Sequence, residues 1–117
     1  MDMKTFAKIN RARCEAANGF NHKLESWSLS DWMTATMGEL GEAANYVKKL
    51  NRVRDGVRGN DKAEAELRQG LAKEIADTFI YLDLMAQAAG LSLEEIVQDK
   101  FGETSMKIGY PQTPEFE

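Results

Sequence analysis

One turn signal between two long runs of helical periodicity constrains this chain more than anything else in its sequence. Asp55-Gly56-Val57-Arg58-Gly59-Asn60 concentrates turn formers near the middle of the 117 residues. On its N-terminal side Trp32, Met33, Thr36, Leu40, Ala43, Val47 and Leu50 recur at helical spacing, and on its C-terminal side so do Leu67, Leu71, Ile75, Thr78, Leu82 and Met85. β-branched residues are sparse, and Pro occurs only at Pro111 and Pro114. No convincing strand can be read. A helix that runs into a tight turn and out into a second helix folds back as an antiparallel pair.

Two further helices complete an all-α, four-helix bundle-like subunit. The four stretches are read at 3–17, 30–53, 61–89 and from a Ser92 cap to 107. The first has a modest apolar face of Phe6, Ile9, Ala12, Ala16 and Ala17, and Gly19 ends it. Ser28 or Ser30 can cap the second. Gly90 suits the left-handed exit of the third. Ser92-Leu93-Glu94-Glu95 is a capping box, which satisfies free backbone donors at the start of the fourth. The length predicts one domain over 1–109, followed by an extended tail over 110–117.

The helix pair carries four acidic residues at matched spacing. Glu39 and Glu42 form an E-x-x-E pair, and Glu74 and Asp77 an E-x-x-D pair, at equal distances from position 58. Residues three apart share a helix face. Folding back at the turn therefore sets the two pairs opposite one another. In each helix the pair borders the apolar stripe rather than the fully solvated side. Partly buried carboxylates are costly unless neutralised. A hard cation with oxygen ligands neutralises them, and Mg²⁺, with Mn²⁺ as a substitute, suits a phosphate substrate. A di-iron carboxylate bundle needs Glu-x-x-His, and the one histidine, His22, does not follow a candidate Glu at that spacing. A helical interaction module with merely surface acids is the non-enzymatic alternative.

Charge and cysteine content narrow the setting. The net charge is −4. Lys48, Lys49, Arg52, Arg54, Arg58 and Lys62 against Asp55 and Asp61 make segment 48–62 basic by +4, which leaves −8 on the remainder. This balance does not suggest nucleic-acid binding, and the basic segment is expected to be a solvated hairpin. Cys14 is the single cysteine, which fits a reducing cytoplasm. Neither a signal peptide nor an apolar run of about 18 residues is apparent. Cys14 has no adjacent base to make it a nucleophile.

Met37-Gly38-Glu39-Leu40-Gly41-Glu42-Ala43-Ala44-Asn45, followed by Glu74-Ile75-Ala76-Asp77-Thr78-Phe79-Ile80-Tyr81, resembles the MazG-like nucleoside triphosphate pyrophosphohydrolases of the all-α NTP pyrophosphatase superfamily. The resemblance runs from about Trp27 to Gly109. It implies that Glu39, Glu42, Glu74 and Asp77 bind Mg²⁺ and that a nucleoside triphosphate is cleaved to a monophosphate and pyrophosphate. It also implies a homodimer or homotetramer. A third motif of such proteins, K-F-N-x-x-S, reads here Lys100-Phe101-Gly102-Glu103-Thr104-Ser105, with Gly102 where the amide is expected. That departure keeps a non-catalytic nucleotide-binding relative as an alternative.

Roles within the set follow from chemistry. Metal ions neutralise phosphate oxygens and acidify water. Glu39 is the candidate to activate the attacking water, with Glu42, Glu74 and Asp77 mainly ligands. Lys100 and Lys107 are candidate triphosphate cations, with Lys73 a further one beside Glu74. Tyr81 and Trp27 are candidate surfaces for the base, and Trp32 is expected to pack in the core.

Overall fold

The structure, a computed structural model, describes residues 1–112, 114 and 115. Among them it is all-helical, without a strand. Helix α1 spans Met3–Glu15, α2 Leu29–Arg54, α3 Glu64–Ala88 and α4 Leu93–Ile108. A short 3₁₀ turn at Leu24–Ser26 lies in the segment expected to be a loop. No helix among the described residues is long and apolar enough to cross a membrane.

The helix ends follow local chemistry. Asp2 caps α1, its carboxylate accepting from the Thr5 N–H at 2.7 Å. Ser92 caps α4 by accepting from the Glu95 N–H. Gly90 adopts φ +74°, and the Leu91 N–H returns to the Ala86 carbonyl at 2.8 Å, so α3 exits through a left-handed residue. Between α2 and α3 the basic segment closes on itself. Arg52 Nη2 donates to the Arg58 carbonyl at 2.8 Å, and Asn60 Nδ2 to the Lys49 carbonyl at 3.1 Å. Two of its charges are thereby spoken for locally, since Arg54 also pairs with Asp55 at 2.8 Å.

Two compact units are formed. One comprises Ser30–Leu82, which is the helical hairpin of α2 and α3. Trp32 meets Tyr81, Glu39 meets Glu74, and Tyr46 meets Gly70. Residue numbers rise on one helix as they fall on the other, which is antiparallel pairing. Gly70 is required at this seam, because a Cβ there would collide with the Tyr46 ring. Trp32, Thr36, Ala43 and Leu67 are buried. Met33, Leu40, Val47 and Ile75, expected on the core stripes, are exposed. The stripes are wider than one neighbouring helix can cover.

The other unit comprises Met1–Leu29 and Asp83–Glu117. Its core includes Cys14, Leu24, Leu84 and Ala86. The expected inner face of α1 is shifted, for Ile9 is exposed while Asn10 and Cys14 are buried. The cause is a polar anchor. Asn10 Nδ2 donates to Asp83 Oδ2 at 2.9 Å, and Gln87 Nε2 donates both to the same oxygen at 2.8 Å and to the Ala7 carbonyl at 3.0 Å. Of the expected tail, residues 110–112 have no regular structure but return to α4, where the Ser105 hydroxyl donates to the Gln112 carbonyl at 3.2 Å. Positions 113, 116 and 117 lie outside the described residues.

Candidate metal centre

Antiparallel pairing of α2 and α3 carries Glu39 to Glu74, the first about one turn beyond buried Thr36 on α2 and the second about two turns beyond buried Leu67 on α3. Glu39, Glu74 and Asp77 each offer a carboxylate oxygen, and these oxygens lie within 4.8 Å of one another. Glu39 and Glu74 are half-buried. Glu42 is exposed and falls outside this oxygen set, although it lies against both Glu39 and Glu74. The i,i+3 step turns Glu42 about 60° further around α2, and Asp77, at the same step from Glu74, stays within the set.

The electrostatics are those of crowded like charges. The Glu74 carboxyl is pushed up to about 7, first by sharing a hydrogen bond with Glu42, then by burial and by Glu39. Burial raises Glu39 above its ordinary value, with the charges of Glu42 and Asp77 adding to the effect. Glu74 Oε2 is shielded from solvent and has no hydrogen-bond donor. These facts agree. Glu42 and Glu39 crowd this carboxyl, so a proton shared among them relieves a repulsion that full ionisation would restore. On the backbone side the Thr78 hydroxyl donates to the Glu74 carbonyl at 2.7 Å, which occupies the Thr hydroxyl away from the cluster.

The donor set is compatible with a cation. Three carboxylate oxygens gathered this closely, with a shielded, donor-less oxygen on the Glu74 carboxylate, match the oxygen-only preference of a hard divalent ion. Partly exposed acidic groups also gather without an ion, so the geometry says which residues could hold one.

The remaining expected site residues are distributed between the units. Tyr81 belongs to the hairpin, half-buried, its ring 6.4 Å from that of Trp32. Trp32 itself is fully buried, as its place on the stripe predicted. Lys73 is exposed on α3. Trp27, Lys100 and Lys107 belong to the other unit. Trp27 packs edge-on against His22 at 4.4 Å between ring centroids. Lys100 is exposed, pairs with Glu103 at 3.4 Å, and borders an open apolar groove with Phe101, Ile108 and Tyr110. Lys107 lies exposed in the last turn of α4.

Two buried acids were outside the expected set. Asp83 takes the two amide donors described above, and Glu94 is buried beside Lys4, 3.4 Å from its Nζ. The i,i+4 pairing of Asp83 with Gln87 was the one available sequence signal for the first. Neither is part of the cluster on α2 and α3. Comparison of the chain with family models, with curated proteins and with solved structures finds no match.

Proposed function

We propose that this protein is a divalent-metal-dependent nucleoside triphosphate pyrophosphohydrolase of the MazG-like kind. The observation that carries the reading is the convergence of Glu39, Glu74 and Asp77 within 4.8 Å across an antiparallel helix pair. The spacing of the acidic motifs and their resemblance to that family give the reaction. In this reading the working unit is a homodimer or homotetramer.

Glu39, Glu74 and Asp77 would hold Mg²⁺, or Mn²⁺ in its place. When bound, such an ion offsets the charge of the carboxylates and of the phosphate oxygens, and makes nearby water more acidic. The chain's own groups supply the rest. A water oxygen bonds to the α-phosphorus as the bond from that phosphorus to the bridging oxygen breaks. Pyrophosphate leaves with the electron pair, and the water proton passes to a carboxylate. Glu42 takes the place of Glu39 as the favoured proton acceptor, because Glu39 is inside the oxygen set while Glu42 is exposed beside it. Tyr81, in the same hairpin as the carboxylates, is the proposed contact for the base.

A panel of ribo- and deoxyribonucleoside triphosphates with Mg²⁺, assayed for pyrophosphate, tests the reading. Wild type is expected to release pyrophosphate from at least one nucleotide, and Glu42→Gln and Asp77→Asn to lose that release. Equal release by all three proteins removes the assigned site. No release from any nucleotide by wild type, with nucleotide still bound, points to the non-catalytic module instead.

A further inference from the structure

A cleft of about 290 Å³ opens between the start of α1, the end of α3 and the start of α4. Every residue that lines it belongs to the unit of Met1–Leu29 and Asp83–Glu117, so it shares none with the cluster on α2 and α3. Met3, Ala7 and Leu93 give it apolar walls. Asp83, Glu94 and Glu95 line it against Lys4 and Lys8, which leaves one negative charge unbalanced.

Glu94 is the member of this set whose needs are not met. It is 6% exposed, and its Oε2 lies 3.4 Å from Lys4 Nζ. Its Oε1 is shielded and has no hydrogen-bond partner. A buried carboxylate oxygen without a donor is costly to the fold. Asp83, in the same cleft, shows how the chain answers such a demand where it serves packing, with amide donors from Asn10 and Gln87.

The chain's own side chain indicates the missing chemistry. Lys4 spans the two carboxylates of α4, 3.4 Å from Glu94 and 3.6 Å from Glu95. Glu94 first, and then Glu95, hold the Lys4 ammonium above its ordinary value. A primary ammonium on a run of methylenes is therefore what this place already favours. A metal ion matches less well. Asp83 Oδ2 is committed to its amides, and among the described residues Asp83 and Glu94 belong to no close set of ligand atoms like that of Glu39, Glu74 and Asp77.

We propose that this cleft binds a small aliphatic amine, its ammonium donating to Glu94 and its methylenes lying along Met3, Ala7 and Leu93. One group then answers both the unmet acceptor and the unbalanced charge, because an ammonium carries its N–H donors together with its charge. Entry requires Lys4 to swing outward. Its contacts are long and its side chain is 57% exposed, so little holds it in place. A diamine gains a further contact, since exposed Glu95 stands beside Lys4.

Calorimetric titration at constant ionic strength tests the site. Wild type should bind 1,4-diaminobutane saturably, one molecule per chain, and butylamine more weakly. Tetramethylammonium, which has the charge but no N–H donor, should not saturate. Glu94→Gln should weaken diaminobutane by about 10-fold or more, through loss of a charge-assisted hydrogen bond. Lys4→Met should tighten it by about 10-fold, because the internal ammonium no longer competes, and a damaged fold would not gain affinity. Absence of saturation in wild type, equal binding of butylamine and tetramethylammonium, or unchanged affinity in Glu94→Gln overturns the proposal. Binding by Lys4→Met alone overturns it too, since Lys4 would then be the permanent occupant. Loss of pyrophosphate release leaves it standing, because no arm of this test reads catalysis.

Discussion

Asp83 and Glu74 are two acidic residues set into helices, and the chain treats their charge in opposite ways. Asp83 is 2% exposed, and its Oδ2 receives amide donors from Asn10 and Gln87. Glu74 is half-buried, its shielded Oε2 receives none, and its carboxylate lies among those of Glu39, Glu42 and Asp77. A carboxylate that serves the fold arrives with its hydrogen-bond donors built in. Under the proposed metal-binding reading, Glu74 lacks such donors because a cation would take their place, and without one the crowded carboxylates repel each other. The contrast predicts opposite responses to the same kind of mutation.

The largest divergence should appear in activity. Asp77→Asn and Glu74→Gln should each lower pyrophosphate release by about 100-fold or more, as expected when charge stabilisation is removed from a reacting centre. The same substitutions should leave the metal-free melting temperature unchanged or higher, because each removes one of several repelling charges. A fall in melting temperature that accounts for the lost activity would place these residues with Asp83 and break the comparison.

Asp83→Ala should behave in reverse. It removes the acceptor shared by Asn10 and Gln87, at a cost of about 1–3 kcal/mol. Denaturant titration reads that loss directly. Asp83→Asn keeps an acceptor and should cost less. Equal costs for the two would mean that the carboxylate's packing, and not its acceptor role, holds α1 in place.

The sequence makes one of these two places legible and hides the other. Glu39, Glu42, Glu74 and Asp77 announce themselves because their spacing is local and the turn at 55–60 relates the two helices. Even so, the oxygen set leaves out Glu42 and takes in Asp77 at the same i,i+3 step, because membership depends on side-chain direction rather than register. Asp83 is hidden because its main donor, Asn10, is far away in the chain, and a polar residue at a core position gives no periodic signal. The same limit applies to the apolar stripes. Their recurrence located α2 and α3, but periodicity measures how wide a stripe is and not how many neighbours cover it. Trp32 and Ala43 became interior while Met33, Leu40 and Val47 did not.

Divalent ions should act on one place alone. Mg²⁺ at ten times its Kd should stabilise wild type by about 1.4 kcal/mol through binding to the folded state. Asp77→Asn should lose most of that gain, and Asp83→Asn should keep it. A thermal-shift titration with Mg²⁺ and Mn²⁺ separates the cases, and an equal gain in all three proteins would mean that the ion binds elsewhere.

The smallest effect is the dependence of metal-free stability on pH, and its sign distinguishes the cluster from every other shifted acid. Glu74 sits near 7 in the folded protein against an ordinary value of 4.5, so folding favours its protonated form. The stability it contributes is complete below about 4.5 and is lost as pH rises through about 7. Glu39, also raised, acts in the same direction. Glu15 is held low by the Leu24 N–H and Arg11, and Asp2 by Thr5. Their contributions are present above the ordinary carboxylate range and are lost only as pH falls below it, so they leave the window from 4.5 to 7 undisturbed. Within that window the metal-free melting temperature should decline by a small but steady amount. Glu74→Gln should flatten the decline, and saturating Mg²⁺ should cancel it at pH 7 and above while doing little at pH 5, where protons compete for the same oxygens. A decline that persists unchanged in Glu74→Gln would mean that the crowding of Glu39, Glu42 and Asp77 alone carries the repulsion, and that Glu74 is the cluster's spacer rather than its centre.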